Sequence, residues 1–219
     1  MPDADQEKQI KLLRTYYNLH LDHGGGNLST FTGKAVASGL ADVYQSMSSA
    51  MNGLAGPRHG RATQDCFEMV QDIGSSDPAE VEKRIRARLD SGGLVFGFGH
   101  AVLRSEDPRA KVEFDLGEEI APDDKYFKIV KAMRSVVPKV LSENAKIQNP
   151  YPNVDFVSGS LLQAVGFTDM EYYTTLFGWS RVAGIGAQIA DERLNFRDGR
   201  GVAIYRPKYI AVNQDKRSV

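Results

Sequence analysis

Apolar residues spaced three and four positions apart dominate this chain and constrain its fold more than any other feature. One such stripe predicts a single helix over residues 36–51 and consists of Val36, Leu40, Val43, Tyr44, Met47 and Met51. Similar stripes occur at 66–73, 81–89, 129–141, 157–165 and 173–189. Only residues 201–212 look extended, and Pro207 restricts them to a short edge strand. We therefore expect an all-α fold with a short extended hairpin near the C-terminus.

Helix-boundary signals accompany these stripes. Asp77 followed by Pro78 is typical of a helix start, with the aspartate as N-cap and the proline at the first helical position. Gly74 is expected to end the helix before it. Thr168 with Glu171 three residues later predicts a capping box at the start of the last helix.

Composition excludes several classes of protein. The chain has 219 residues, with 27 Lys and Arg against 28 Asp and Glu, so it has no overall attraction for nucleic acid or anionic membranes. Its one cysteine, Cys66, cannot form an internal disulfide. No apolar run approaches the roughly 20 residues that span a bilayer, and the acidic N-terminus does not resemble a signal peptide. We expect neither nucleic acid nor a membrane as a partner.

Three of the four histidines lie in glycine-rich turns, where backbone N–H groups can approach a ligand closely. The turns are His23-Gly24-Gly25-Gly26, Gly56-Pro57-Arg58-His59-Gly60 and Gly97-Phe98-Gly99-His100. His59 also precedes a predicted helix, whose dipole disfavours the imidazolium form. A neutral imidazole there can donate a hydrogen bond to a carbonyl that is becoming an enolate. The alternative is a histidine that only caps the helix.

Charged residues near these turns add further candidates. Arg104 and Arg109 follow His100 and could hold a phosphate or carboxylate, although solvated arginines are the alternative. Arg181 lies within the apolar stripe of the last helix, so it needs a partner: an anionic ligand or an acidic residue of the core. Asp155 opens a predicted helix, either as a cap or, if desolvated beside a substrate, as a general base.

His20 and His23 have the spacing of half a metal site. No further cluster of cysteines and histidines with ligand spacing accompanies them. We therefore expect no metal.

Six segments taken together closely resemble the citrate synthase family, particularly the type first known from mitochondria and also found in some bacteria. They occur in the same order as in that family, from about His20 to about Pro207. The segments are His20-Leu21-Asp22-His23-Gly24-Gly25-Gly26-Asn27, Ala50-Met51-Asn52-Gly53-Leu54-Ala55-Gly56-Pro57-Arg58-His59-Gly60, Gly97-Phe98-Gly99-His100-Ala101-Val102-Leu103-Arg104 with Asp107-Pro108-Arg109, Pro152-Asn153-Val154-Asp155, Leu176-Phe177-Gly178-Trp179-Ser180-Arg181, and Arg206-Pro207.

The resemblance implies a role for each matching residue. His59 is similar to the histidine that hydrogen-bonds the acetyl-CoA thioester oxygen, Asp155 to the base that removes the methyl proton, and His100 to the histidine that polarises the oxaloacetate ketone. Arg206 resembles an arginine that reaches into the other subunit's site. The implied oxaloacetate and citrate ligands are His23, Arg109, Arg181, Arg206 and Phe177. The implied CoA contacts are Leu94, Val95, Gly97, Phe98, Gly99, Arg104 and Asn153.

The implied activity is condensation of acetyl-CoA with oxaloacetate and hydrolysis of citryl-CoA to citrate and CoA, in the tricarboxylic acid cycle. The alternatives are a methylcitrate synthase, a citryl-CoA-cleaving relative, and a split or truncated subunit that is inactive without its N-terminal half. Acetyl-CoA is a substrate, so no cofactor is expected. The expected partners are these substrates and either a second copy of the chain or the missing N-terminal half.

The resemblance also implies an organisation into domains, because chains of the family are much longer. Residues 1–56 correspond to large-domain helices whose N-terminal part is missing, 57–167 to the small CoA-binding domain, and 168–219 to the large-domain C-terminal helix and tail. We expect a location in the bacterial cytoplasm, with the mitochondrial matrix as the alternative.

Overall fold

The computed structural model describes residues 3–100 and 103–208, with side chains from residue 6 onward. Within these residues the chain forms nine α-helices and no strand, which confirms the all-α fold. Their bounds are α1 Asp3–His20, α2 Leu28–Ser38, α3 Val43–Leu54, α4 Ala62–Ile73, α5 Pro78–Asp90, α6 Pro108–Ile120, α7 Lys125–Ser142, α8 Asp155–Ala164 and α9 Glu171–Asn195.

The expected hairpin near the C-terminus is not formed by its described part. Residues 201–208 form no strand, and residues 209–212 lie outside the described residues. The backbone N–H of Tyr205 donates to Oγ of Ser38 at 2.9 Å, so this segment lies against the end of α2. Antiparallel pairing occurs elsewhere, where an isolated bridge joins Phe98 to Pro152.

The apolar stripe over residues 36–51 forms two helices, so the prediction of a single helix was wrong. α2 is capped at Gly39, and Leu40 has a φ of 65°, a left-handed conformation that interrupts a helix. Asp42 then starts α3 with a capping box that Gln45 completes. Periodicity alone did not reveal the break, although the Asp42-to-Gln45 spacing was its signal.

The start of α5 agrees with the sequence. The Asp77 side chain caps the helix by accepting from the N–H of Ala79, and Pro78 lies in the first turn. Gly74 ends α4 with a φ of 64°, which a residue with a Cβ adopts only at a cost.

The start of α9 differs from the sequence prediction. The cap residue is Met170, which makes no side-chain capping bond, so the capping box expected at Thr168 is wrong. The side chain of Asp169 accepts from the N–H of Glu171 at 3.2 Å instead. The carboxylate of Asp169, one residue after Thr168, therefore supplies the hydrogen-bond acceptor for the first turn of α9.

The main core surrounds α8, which packs against α4, α6 and α7. α1 and α9 lie together on one side of this group, and α2 and α3 pack on each other and on α9. A smaller core cluster joins these last three helices and consists of Ala37, Ala50, Ile185 and Ile189. No helix in the described part of the chain is both long and apolar enough to cross a membrane.

A glycine brings α4 and α8 unusually close. A Cβ on Gly159 of α8 would lie 2.7 Å from Cβ of Phe67 and 3.1 Å from the carbonyl oxygen of Thr63. Only a residue without a side chain fits this space. The close approach places the first turn of α4 beside Asp155, the first residue of α8.

Candidate active site

Loops and helix ends bring the candidate residues together. His23 follows α1, His59 precedes α4, and His100 follows α5. Asp155 begins α8, and Arg181 lies in the middle of α9. Side chains separated widely in sequence therefore share one region of the fold: His23 lies against His100, and Arg109 and Arg181 act electrostatically on Asp155.

The His59 ring meets the first turn of α2. The N–H of Ser29 donates to Nε2 of His59 at 3.3 Å, and Oγ of Ser29 lies 2.8 Å from the same nitrogen. A backbone N–H can only donate, so Nε2 is the acceptor and the ring proton is assigned to Nδ1. Burial, with Arg181 and His23 adding to it, lowers the pKa of His59 to about 4. The ring is neutral at pH 7, and the helix end it meets is that of α2 rather than the expected α4.

His100 carries its proton on the other nitrogen. The N–H of Leu103 donates to Nδ1 of His100 at 2.9 Å, so the proton is assigned to Nε2. Nε2 lies 3.3 Å from Nε2 of His23, and the two rings stack. Burial, followed by the electrostatic effect of His23, lowers the pKa of His100. A neutral donor therefore points toward His23.

Asp155 is a partly buried carboxyl with defined partners. Oγ1 of Thr63 donates to Oδ1 of Asp155 at 2.7 Å. The backbone N–H of Asp155 donates to Oδ1 of Asn153 at 3.0 Å. Burial raises the pKa of Asp155 to about 6, and the Thr63 hydrogen bond opposes that rise. A carboxyl with a pKa this close to neutrality suits proton transfer.

Arg181 is buried without an acidic partner. Nε donates to the carbonyl of His20 at 2.7 Å, and the guanidinium lies 4.8 Å from the ring centroid of Phe177. No carboxylate among the described side chains lies within ion-pair distance of it, so the core ion pair considered from the sequence is not found. Nη2 is buried with no hydrogen-bond partner, and burial lowers the pKa of Arg181 to about 10. An unpaired cation and an unused donor favour an anionic ligand.

Arg109 is held by a neighbouring carboxylate. Nη2 and Nε of Arg109 donate to Asp107 at 2.7 and 3.0 Å. Asp107 is buried and also caps α6. Burial would raise the pKa of Asp107, but the hydrogen bonds and charge of Arg109 outweigh it, and the pKa is lowered. Asp107 therefore fixes the position of the Arg109 guanidinium.

The glycine loop before His100 pairs with the segment before Asp155. The N–H of Asn153 donates to the Gly97 carbonyl at 2.9 Å, and its side chain donates to the Gly99 carbonyl at 2.8 Å. Gly97 and Gly99 have φ values of 78° and 85°. The ring of Phe98, between them, packs against Phe156. The loop is thereby fixed beside the start of α8.

The remaining candidates lie nearer the surface. Leu94 is exposed, and its carbonyl accepts from Nε of Arg88 at 2.6 Å. Val95 packs against the main core. Nη1 of Arg104 donates to the carbonyls of Leu103 and His100 at 3.0 and 3.3 Å.

Arg206 is exposed. Its neighbour Tyr205 stacks on Phe31 and donates to Glu192 at 2.8 Å. Within residues 6–100 and 103–208, no hydrogen bond or ion pair joins Arg206 to the histidines or to Asp155.

The side chains of His20 and His23 have different partners. His20 is buried and donates from Nδ1 to the Tyr16 carbonyl at 2.9 Å, while His23 faces His100. Burial lowers the pKa of His20 to about 3. Among the described residues, no three side chains of the metal-binding types lie close enough to share an ion.

Sequence reasoning missed three residues of this region: Ser29, Thr63 and Glu113. Glu113 is completely buried, and Oγ of Ser158 lies 2.7 and 2.9 Å from its two carboxyl oxygens. The contacts of Ser29, Thr63 and Glu113 join residues 30, 92 and 45 positions apart. No local pattern indicates such long-range partners.

Known proteins of the citrate synthase family are similar to this chain in sequence. The family model described as citrate synthase, C-terminal domain, matches residues 1–208. A mitochondrial 2-methylcitrate synthase from Yarrowia lipolytica is 44% identical over 216 residues, which cover 96% of this chain and 45% of that protein. A mitochondrial citrate synthase from Neurospora crassa is 42% identical over 217 residues, with coverages of 96% and 45%. The chain spans about half the length of the curated relatives it matches.

Solved structures of related proteins are similar to this chain in fold. Citrate synthase from Thermoplasma acidophilum, in a ternary complex with carboxymethyl coenzyme A and oxaloacetate, matches with a TM-score of 0.80 and 29% identity, over 97% of this chain and 54% of that chain. Citryl-CoA lyase from Hydrogenobacter thermophilus has a TM-score of 0.75 at 20% identity, over 96% of this chain and 80% of that one, and shows a shared fold alone. Because the family model spans nearly the whole chain and both curated relatives exceed 40% identity, the chain belongs to the citrate synthase family.

Proposed function

We propose that this chain carries the catalytic residues of a citrate synthase, which condenses acetyl-CoA with oxaloacetate and hydrolyses citryl-CoA to citrate and CoA. The observation that carries the proposal is the combination of a carboxyl with a pKa of about 6, Asp155, and two neutral histidines with their protons on opposite nitrogens. These are the groups needed to form an enol and to polarise a ketone.

Enol formation is the first step. Asp155 removes a proton from the methyl group of acetyl-CoA, while Nδ1–H of His59 donates to the thioester oxygen that becomes the enol oxygen. The Ser29 contact supports this role because it leaves the ring proton on Nδ1. A weak carbon acid needs both a base and a donor, since neither alone stabilises the enolate enough.

Carbon–carbon bond formation follows. The enol carbon attacks the ketone carbon of oxaloacetate, and Nε2–H of His100 donates to the ketone oxygen as it gains charge. The Leu103 contact supports this because it places the proton on Nε2. Water then attacks the thioester carbonyl of citryl-CoA, which releases citrate and the CoA thiol.

Three positive or polar side chains bind the carboxylates in this proposal: Arg181, Arg109 and His23. Arg181 supports it most directly, because its buried Nη2 has no partner within the described residues. Charge-assisted bonds from arginines suit a dicarboxylate that becomes a tricarboxylate. The ring of Phe177 packs under the Arg181 guanidinium and forms part of the same wall.

The remaining assignments concern CoA and assembly. The CoA contacts are Leu94, Val95, Gly97, Phe98, Gly99, Arg104 and Asn153, of which Asn153 and the two glycines form one hydrogen-bonded unit. Arg206 serves the site of a second copy in this proposal, and its exposure supports that role. The division at residues 56 and 167 into large-domain and small-domain parts belongs to the same proposal. The steps above require only side chains, substrates and water.

A methylcitrate synthase is the second candidate, and the 44% identity to the Yarrowia lipolytica enzyme favours it. Both reactions use the same groups and differ by one methyl group on the acyl-CoA. The curated relatives reported above are mitochondrial, so we propose the mitochondrial matrix, and the expected bacterial location finds no support among them.

Release of free thiol from acetyl-CoA and oxaloacetate, measured on the full chain, tests the function. A parallel assay with propionyl-CoA separates the two candidates, and citryl-CoA without oxaloacetate tests cleavage. Because the chain spans about half of its relatives, oxaloacetate binding is also measured by calorimetry, and the assay is repeated with the N-terminal half of a relative. A chain that neither binds oxaloacetate nor gains activity with that half contradicts the proposal.

A further inference from the structure

A buried threonine contacts the proposed base directly. Thr63 is completely buried in the first turn of α4, and its hydroxyl donates to Oδ1 of Asp155 at 2.7 Å. The geometry points to Thr63 as a positioning residue, which orients the Asp155 carboxylate and favours its ionised form for proton abstraction. This inference rests on the proposed role of Asp155 as the base.

Matching positions on two helices create the contact. Thr63 and Phe67 lie four residues apart on α4, and Asp155 and Gly159 lie four apart on α8, so each pair shares one helix face. Thr63 meets Asp155 one turn before Phe67 packs over Gly159. A larger residue in place of Gly159 would separate the helices, so the fold itself brings the hydroxyl to the carboxyl.

The hydrogen bonds of Asp155 leave one oxygen for the substrate. The Thr63 hydroxyl has one proton, and it occupies Oδ1. Asn153 binds the backbone N–H of Asp155 and fixes the start of the helix. Among the described residues no hydrogen bond engages Oδ2, which is therefore the oxygen available to take the methyl proton.

Charged side chains on neighbouring elements and the neutral Thr63 hydroxyl both affect the ionisation of Asp155. Arg109 and Arg181 face Asp155 from α6 and α9 and favour its ionised form, while Asp107 opposes it. Further titratable groups that interact electrostatically with Asp155 are Glu113, Tyr16 and Cys66. Burial raises the pKa of Asp155, and the Thr63 hydroxyl is the largest effect that lowers it. Without that hydroxyl the base would be protonated over a wider pH range.

The alternative is that Thr63 only fills space at the start of α4. Thr63→Val tests this because it keeps the branched shape and removes the hydroxyl, while Thr63→Ser keeps the hydroxyl. Thr174→Val makes the same chemical change near the start of α9 and serves as the control. Carbon-13 NMR of side-chain carboxyls across pH measures the pKa of Asp155 in each full-length protein, with its signal assigned by its loss in Asp155→Asn.

We expect Thr63→Val to raise the pKa of Asp155 by about one unit, a tenfold change in its acid dissociation constant. Thr63→Ser and Thr174→Val should leave it within about 0.3 unit of the original value. In an active assembly, the acid side of the profile of kcat against pH should move by the same amount in Thr63→Val alone.

An unchanged Asp155 pKa in Thr63→Val overturns the inference. The inference is also overturned if Thr63→Ser, which keeps the hydroxyl, raises the pKa of Asp155 as much as Thr63→Val does. Packing rather than the hydroxyl would then be responsible. The NMR measurement needs neither CoA nor oxaloacetate, so it stands even if the chain makes no citrate. If only the proposed function fails, Thr63→Val still raises the pKa of Asp155, but the protein shows no acyl-CoA chemistry.

Discussion

The backbone N–H of Ser29 in α2 lies 3.3 Å from Nε2 of His59, thirty residues further along the chain. The position of the first turn of α2 therefore determines which ring nitrogen of His59 carries the proton. An N–H that can only donate leaves Nδ1 as the protonated nitrogen, and burial keeps the ring neutral. A neutral donor is the weaker acid, and it does not transfer its proton before the enolate forms.

Replacing Asp155 by alanine should abolish condensation and leave oxaloacetate affinity largely unchanged. The carboxyl acts on the methyl group of acetyl-CoA, whereas the arginines and His23 bind the dicarboxylate. Loss of a positioned base costs ~10²–10⁴ in rate. Turnover is measured by thiol release, and affinity by calorimetry. Near-normal turnover of Asp155→Ala would remove Asp155 from the mechanism.

The rate should increase with pH through a midpoint near 6. Asp155 must be ionised to accept a proton, and burial raises its pKa to about 6, so each pH unit below that value lowers the active fraction about tenfold. Burial lowers the pKa of His59 to about 4, so this histidine should add no second transition above pH 6. Burial also lowers the pKa of His100. Measuring kcat from pH 5 to 8 checks this, and a decline between pH 6 and 8 would contradict it.

Arg181→Leu should weaken oxaloacetate binding. A charge-assisted hydrogen bond contributes about 1.5–3 kcal/mol, which corresponds to roughly a 10- to 150-fold higher dissociation constant. Nε of Arg181 also donates to the His20 carbonyl, so a loss of stability is expected as well. Calorimetry on the folded variant, with circular dichroism to confirm folding, separates the two effects. A variant that folds and binds oxaloacetate normally would exclude Arg181 from the site.

Glu113→Gln should stabilise the protein above pH 5. Burial raises the pKa of Glu113 well above the ordinary value of 4.5, so the folded chain retains a proton that the unfolded chain releases. The wild-type free energy of unfolding therefore falls with rising pH, by up to about 1.4 kcal/mol per unit, until the folded-state pKa is reached. Glutamine has a similar shape, keeps a donor for Ser158 and does not titrate.

Denaturant unfolding of Glu113→Gln and wild type from pH 5 to 8 measures the effect. The gain should widen as the pH rises, whereas Glu7→Gln, at an exposed position of α1, should show no such trend. A difference that is constant with pH would mean that Glu113 is already ionised in the folded chain.

Sequence signals predicted the structure correctly where the feature they indicate depends on residues within the same helix. Asp77 with Pro78 fixed a helix start because the cap and the proline act within one turn. Arg181 within an apolar stripe correctly indicated a buried cation, because periodicity reports which face is covered. The break at Leu40 was missed because a stripe that continues across two helices conceals the turn between them.

The sequence could not reveal partners that only the tertiary fold supplies. Thr63 meets Asp155 because Gly159 lets two helices approach, and neither helix shows this by itself. The glycine-rich turn and the helix that follows it indicated His59, yet the donor that sets its protonation, Ser29, lies on α2. The domain boundaries and the roles of the individual site residues remain predictions.

Exposed apolar side chains around α2, α3 and α9 predict that the chain associates. Large apolar side chains are exposed between residues 28 and 44, namely Leu28, Phe31, Leu40, Val43 and Tyr44. α9, which packs against α2 and α3, adds Trp179 with 53% of its surface exposed. Exposed apolar surface of several hundred Å² drives association. The chain should therefore dimerise, aggregate or bind a complementary chain, and Arg206 would complete a site only in such an assembly.

Analytical ultracentrifugation of the wild type and of Trp179→Glu tests this prediction. The wild type should sediment as more than a monomer, and the charged variant should shift toward the monomer because burying a carboxylate in an apolar contact is costly. Val112→Glu alters an exposed apolar residue on α6 and should leave the association unchanged. A strictly monomeric wild-type chain that folds cooperatively and forms citrate at full rate would contradict both the association and the shared site.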